Sequence, residues 1–145
     1  MKILLGVDDS KYSDAALNAV IAQFQPKDVQ VHVLHVLQPI SYSAPPQMSA
    51  DFTPELEDEA KRAHEFLERA AKTLRDSGFE VETEVAKGDV RLTVIERASQ
   101  WKADLIVLGS HGRSGIPRLL LGSVAEFVAR NATCSVQIVR IPERN

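Results

Sequence analysis

The feature that most restricts this chain is the alternation, from Lys2 to Ile141, of short apolar runs with stretches of helical period. KILLGVD (Lys2 to Asp8) is a brief apolar run ended by acids, the pattern of a strand covered on both faces. Ser10 then stands where a helix cap belongs, and Ala16, Leu17, Val20, Ile21 and Phe24 keep one helical face until Pro26 stops it. VQVHVLHVLQ (Val29 to Gln38) returns to alternation and predicts a second strand. Residues 39–52, with three prolines and three serines, read as an irregular connection. From Thr53 a second helix begins. Pro54 suits its first position, Glu55, Glu57, Asp58 and Glu59 its positive end, and Leu56, Ala60, Ala63, Leu67, Ala70 and Leu74 form one stripe closed by Gly78.

FEVETEVAKG (Phe79 to Gly88) alternates through Phe79, Val81, Thr83 and Val85, a half-buried strand nearer a sheet edge. Asp89 can cap a third helix that buries Val90, Val94, Ile95, Ala98 and Trp101. ADLIVLGS (Ala103 to Ser110) reads as a central strand, SVAEFVARN as a fourth helix and SVQIVRI (Ser135 to Ile141) as a last strand. Helices of this length between strands require crossover connections, so the sheet must be parallel, with right-handed crossovers and helices on both faces. The expectation is an α/β fold: one doubly wound domain over residues 1–145, five parallel strands and four helices. Such sheets bind ligands beyond the carboxyl ends of their strands, where the winding reverses.

Two segments share that position. Asp8 and Asp9 follow the first strand, and the glycine-punctuated GSHGRSGIPRLLLGS (Gly109 to Ser123) follows the fourth. Glycine tolerates positive φ and lets a backbone approach a ligand closely, so Gly109, Gly112 and Gly122 between a strand and a helix point to exposed amides and an anion. Ser123-Val-Ala-Glu126 matches a capping box, which is compatible with the amides of Ser123 and Val124 meeting a phosphate. Arg113 is the loop's best candidate for a charged phosphate contact, with a solvated loop arginine as the alternative, and Arg118 is a weaker candidate. Ile116, Pro117, Leu119, Leu120 and Leu121 read as a lid packed on the sheet end or on a second subunit. Asp8 can cap the following turn or accept a hydrogen bond from a ribose or adenine.

Other classes recede. A net charge of −3 argues against a broad nucleic-acid surface, and no apolar run is long enough to span a membrane. The single cysteine, Cys134, permits no internal disulfide and reads as a small buried hydrophobe. With no signal-peptide layout in MKILLGVDDS, the expectation is a cytoplasmic protein. His32 and His35 lie three apart on a strand and face opposite sides, and His64 lies off its helix's stripe, so no metal spacing arises. His111 alone falls in the loop, without an evident catalytic partner. The P-loop lysine motif, a G-x-G-x-x-G after the first strand and a G-x-S-x-G elbow are all absent.

The spacing G-x-x-G, nine residues, then G-S resembles the nucleotide-binding motif of the universal stress protein family, in its ATP-binding branch. The opening GVDDS and the HVL at His35 to Leu37 resemble the family too, so the likeness covers nearly the whole chain. It implies ATP, with Mg2+ as its companion ion. Val7 and Asp8 would meet ribose or adenine, Val36 and Leu108 would line the adenine pocket, and Gly109, Gly112, Gly122, Ser123 and Val124 would hold ribose and phosphates. It also implies a homodimer through Ser135 to Ile141, where Cys134-Ser135-Val136 departs from the family's usual C-P-V, and a regulatory role in a stress response with an unknown protein partner. A slow ATPase or autophosphorylating enzyme, and a nucleotide-free interaction module, stand as alternatives.

Overall fold

A computed structural model describes residues 1–38, 54–112 and 120–142, the side chains of 54–56 excepted. In chain order the elements are β1 (Lys2–Gly6), α1 (Lys11–Gln23), β2 (Gln30–Leu37), α2 (Pro54–Asp76), β3 (Glu80–Lys87), α3 (Val90–Trp101), β4 (Leu105–Gly109), α4 (Ser123–Asn131) and β5 (Ser135–Val139). The strands make one sheet in the order β3-β2-β1-β4-β5, and every pairing is parallel. The winding reverses between the neighbours β1 and β4, as the sequence pattern requires of a doubly wound sheet.

The near-continuous apolar runs of β1 and β4 follow from burial on both faces. Ile3, Leu4, Leu5 and Ile106 are wholly inaccessible, each removal from water contributing about 1.5–3 kcal/mol. Because side chains alternate across a strand, Ile3, Leu5, Val31, Val33 and Val107 face α1 and α2, packing on Leu17, Val20, Leu67 and Leu74. Leu4, Leu34, Val36, Ile106 and Leu108 face α3 and α4, packing on Val94, Ala98 and Val128. The same parity separates the histidines. His35 meets Phe66 of α2 edge-on at 4.8 Å, and His32 lies 5.3 Å from Trp101 of α3 on the other side.

Local punctuation explains most boundaries. Ser10 caps α1 and Asp89 caps α3 through side-chain acceptors, while Gly78, at φ 95°, closes α2 in a conformation that only glycine adopts freely. Three expectations are corrected. Helix α1 ends at Gln23, ahead of Pro26, which opens a single 3₁₀ turn at Pro26–Asp28. Cys134 is half-buried rather than buried, and the burial it does have pushes its thiol above the usual range. The capping box at Ser123 does not form. Gly122 occupies the cap in an extended conformation (φ −62°, ψ 155°), which makes Ser123 the first helical residue and places Glu126 four positions past the cap, paired with Arg130 at 3.2 Å. A box needs its acid three positions past the cap, so the register is wrong by one residue.

Candidate functional site

At the switch point the ends of β1 and β4 diverge, and α1 and α4 start there. Pairing of β1 with β2 stops at Gly6↔Leu34, while β2 runs on to Leu37, so Val36 stands past the end of its neighbour. Val7 is committed to the framework: its amide donates to the Leu34 carbonyl at 2.9 Å and its carbonyl accepts from His35 Nδ1 at 2.8 Å. Its amide therefore cannot serve a ligand, and only its side chain and the second lone pair of its carbonyl remain.

Of the two roles considered for Asp8, the structure shows the turn cap. Its Oδ1 accepts from the Ser10 amide and from Ser13 Oγ, each at 2.9 Å, bracing the turn into α1, while Oδ2 faces Gly112 across the gap. Across from it, β4 ends against α1. A β-carbon on Gly109 would lie 2.7 Å from the Tyr12 carbonyl, whereas one on Gly112 would meet Asp8 Oδ2 at 3.0 Å and one on Gly122 would meet His111 Cα at 3.1 Å and the Ser110 carbonyl at 3.2 Å. None of these three glycines has positive φ; the glycines that do, among the described residues, are Gly78 and Gly88. The loop glycines are there for room, not for backbone freedom, and at Gly109 the room is filled by the protein's own helix.

The described ends of the loop are tied together. Ser110 donates its amide to Val139 at 2.9 Å and accepts the Gly122 amide at 2.8 Å, tying β4, β5 and the approach to α4 together. His111 lies against Tyr12, ring centres 5.0 Å apart and tilted by 50°, with Nδ1 bonded to Ser110 Oγ at 3.0 Å and Nε2 donating to the Leu120 carbonyl. Both ring nitrogens thus have partners within the protein. With Gly122 as cap, no side chain among the described residues satisfies the first turn of α4, and the amides of Ser123 and Val124 have no described partner at the positive end of the helix.

These pieces enclose a cavity of about 490 Å³, within the range of small-molecule sites. Its apolar part is made by Leu34, Val36, Val90, Val94, Leu108 and Ala125, and its polar part by Asp8, Ser13, His111, Gly112, Gly122 and Ser123, with Val7, Gly109 and Val124 between. Every described residue that the sequence assigned to the site thus borders one space. Arg113, Arg118, Ile116, Pro117 and Leu119 lie outside the described residues. Leu120, expected to pack as part of a lid, is 61% exposed. Among the described residues no three metal-ligating side chains gather, and no helix is long and apolar enough to cross a membrane. Sequence reasoning missed Val90, Val94 and Ser13. The valines looked like ordinary core stripe, and their stripe in fact runs beyond the sheet into the cavity. Ser13 carried no signal beyond its distance of five residues from Asp8.

An apolar slot that opens into a cradle of glycines and free amides fits a flat base joined to phosphates. The model of the universal stress protein family matches residues 1–140. Universal stress protein MJ0531 of Methanocaldococcus jannaschii is 33% identical over 144 residues, covering 99% of this chain and 84% of that protein. Among solved structures, the universal stress protein UspA from Lactobacillus plantarum superposes with a TM-score of 0.86 at 27% identity, covering 97% of each chain. Hypothetical protein MJ0577 superposes at 0.85 with 29% identity, covering 99% of this chain and 97% of its own. More distant structures, a universal stress protein in complex with cAMP (24% identity, TM-score 0.68) and one from Archaeoglobus fulgidus in complex with dAMP (23%, 0.69), share the fold. Both the residues and the comparisons lead to one conclusion: the chain belongs to the universal stress protein family.

Proposed function

We propose that the cavity binds an adenine nucleotide, ATP with Mg2+, and that the chain is a nucleotide-dependent regulatory module of a stress response. It would work in the cytoplasm as a single domain that pairs with a second copy along β5, an edge strand of the sheet. The observation that carries the reading is the meeting, in one cavity, of the slot formed by Val36, Val94 and Leu108 with the start of α4, which no described side chain caps, and the space kept by Gly112 and Gly122. Phosphates would lie on the amides of Ser123 and Val124, where the helix dipole and unpaired donors favour anions. Mg2+ would be carried chiefly by phosphate oxygens, as is usual for this ion. Relatives in complex with cAMP and dAMP support the ligand class. We read the site as binding its nucleotide without efficient turnover.

Native mass spectrometry of freshly purified protein, followed by calorimetric titration with ATP, ADP and AMP, tests it. The expected result is a copurified or titratable adenine nucleotide at one site per chain. A nucleotide-free protein with no measurable affinity for any of the three would overturn the reading.

A further inference from the structure

We infer that Ser13 is a positioning residue for the ligand: it pins the Asp8 carboxylate so that Oδ2 alone is offered to the cavity, and thereby sets discrimination between nucleotides with and without a sugar hydroxyl at that point. The inference rests on the nucleotide reading above. Ser13 lies in the first turn of α1 and is 8% exposed. A buried hydroxyl must find partners, and this one finds them on a single residue. Ser13 Oγ donates to Asp8 Oδ1 at 2.9 Å and accepts the Asp8 amide at 2.8 Å. The Ser10 amide supplies the second donor to Oδ1, also at 2.9 Å.

A carboxylate oxygen has about two acceptor sites, so Oδ1 is filled. Oδ2 points the other way, 3.0 Å from where a β-carbon on Gly112 would stand. An ionised carboxylate accepts hydrogen bonds only, and next to a phosphate cradle it repels the phosphates themselves. The donors that a nucleotide carries between its base and its phosphates are the sugar hydroxyls. With Oδ1 saturated, the carboxylate cannot take a 2′,3′-diol with one oxygen on each hydroxyl; the recognition passes through Oδ2. A hydrogen bond to a charged acceptor, when its donor is deleted, costs roughly tenfold or more in affinity.

Calorimetric titration of the wild type and of Ser13→Ala, Ser13→Thr and Ser13→Cys with ATP, 2′-deoxy-ATP and 3′-deoxy-ATP tests this. The expected wild-type result is that at least one deoxy analogue binds roughly tenfold or more weakly than ATP. In Ser13→Ala the penalty shrinks to within about threefold, because the carboxylate loses a donor that fixes it, and Ser13→Thr, which keeps a hydroxyl, restores it. The ratio compares ligands on one sample, so a smaller folded fraction cancels from it; should Ser13→Ala not fold, Ser13→Cys, nearly isosteric and a weak donor, carries the same expectation. A wild type that binds all three nucleotides equally, or a Ser13→Ala protein that keeps the wild-type ratio, overturns the inference and leaves the nucleotide reading standing. A wild type that binds none of them overturns both.

Discussion

Gly109 lies so close to Tyr12 that a β-carbon on it would stand 2.7 Å from both the Tyr12 carbonyl oxygen and the Tyr12 Cβ. The obstacle is the backbone of α1, which packs on β4 and cannot yield as a flexible side chain would. Gly109→Ala is therefore a folding mutation. It should lower stability by about 1–3 kcal/mol, the usual cost of overpacking, in urea unfolding monitored by circular dichroism. A variant as stable as the wild type would show that α1 does not sit where it is described.

The other two loop glycines separate from it. Among the described residues, the atom added at Gly112 meets only the end of the Asp8 side chain, so Gly112→Ala should change stability by less than about 1 kcal/mol and nucleotide affinity by roughly tenfold or more, as the loop loses its close approach. At Gly122 the added atom presses on backbone atoms of Ser110 and His111, so Gly122→Ala should lose both stability and affinity. Unfolding curves and titrations of the two variants, run side by side, check the distinction; equal behaviour in both assays would refute it.

Capping gives a third contrast. Asp89 accepts the Leu92 amide at 3.1 Å, and Asp89→Ala should cost about 1 kcal/mol. Ser123 caps nothing, so Ser123→Ala should alter stability by no more than about 0.5 kcal/mol, even though its amide borders the cavity. Thermal melts of the two variants decide it. A Ser123→Ala protein as damaged as Asp89→Ala would restore the capping box that the geometry denies.

The contrast between Asp89 and Ser123 also marks how far sequence reasoning reached. Period and punctuation sufficed for the sheet, because a strand such as Leu105–Gly109 buried on both faces and a stripe such as Ala63, Leu67 and Leu74 leave few other arrangements. The site's outline was legible as well, since crossover rules bring the ends of β1 and β4 together. What escaped was set by single-residue register and by parity. Whether Gly122 or Ser123 caps α4 turns on one residue's φ and ψ, which composition does not encode. Whether Gly109 makes room for a ligand or for Tyr12 depends on how α1 packs on the sheet, a tertiary fact. Val90 and Val94 could not be told from core, because a cavity wall and a core face use the same side chains.

At the opposite margin of the sheet, Glu84 of β3 accepts from Arg97 Nε at 2.7 Å and from His32 Nε2 at 3.0 Å. Burial pushes its carboxyl up, but the hydrogen bonds from Arg97 and His32 outweigh burial and hold it below the ordinary 4.5. A carboxylate that binds its proton less tightly when folded contributes stability that is fully present above the unfolded value and is lost as pH falls through the lower folded one. Arg97, held further above neutrality by its hydrogen bond to Glu84, stays charged throughout and adds nothing to that slope. Melting temperatures of the wild type and Glu84→Gln, measured down through the acid range, should therefore converge as pH falls below about 4.5, as protonation removes from the wild type what the substitution has already removed. Curves that stay parallel through the acid range would mean that the Arg97 and His32 contacts do not favour the ionised carboxylate.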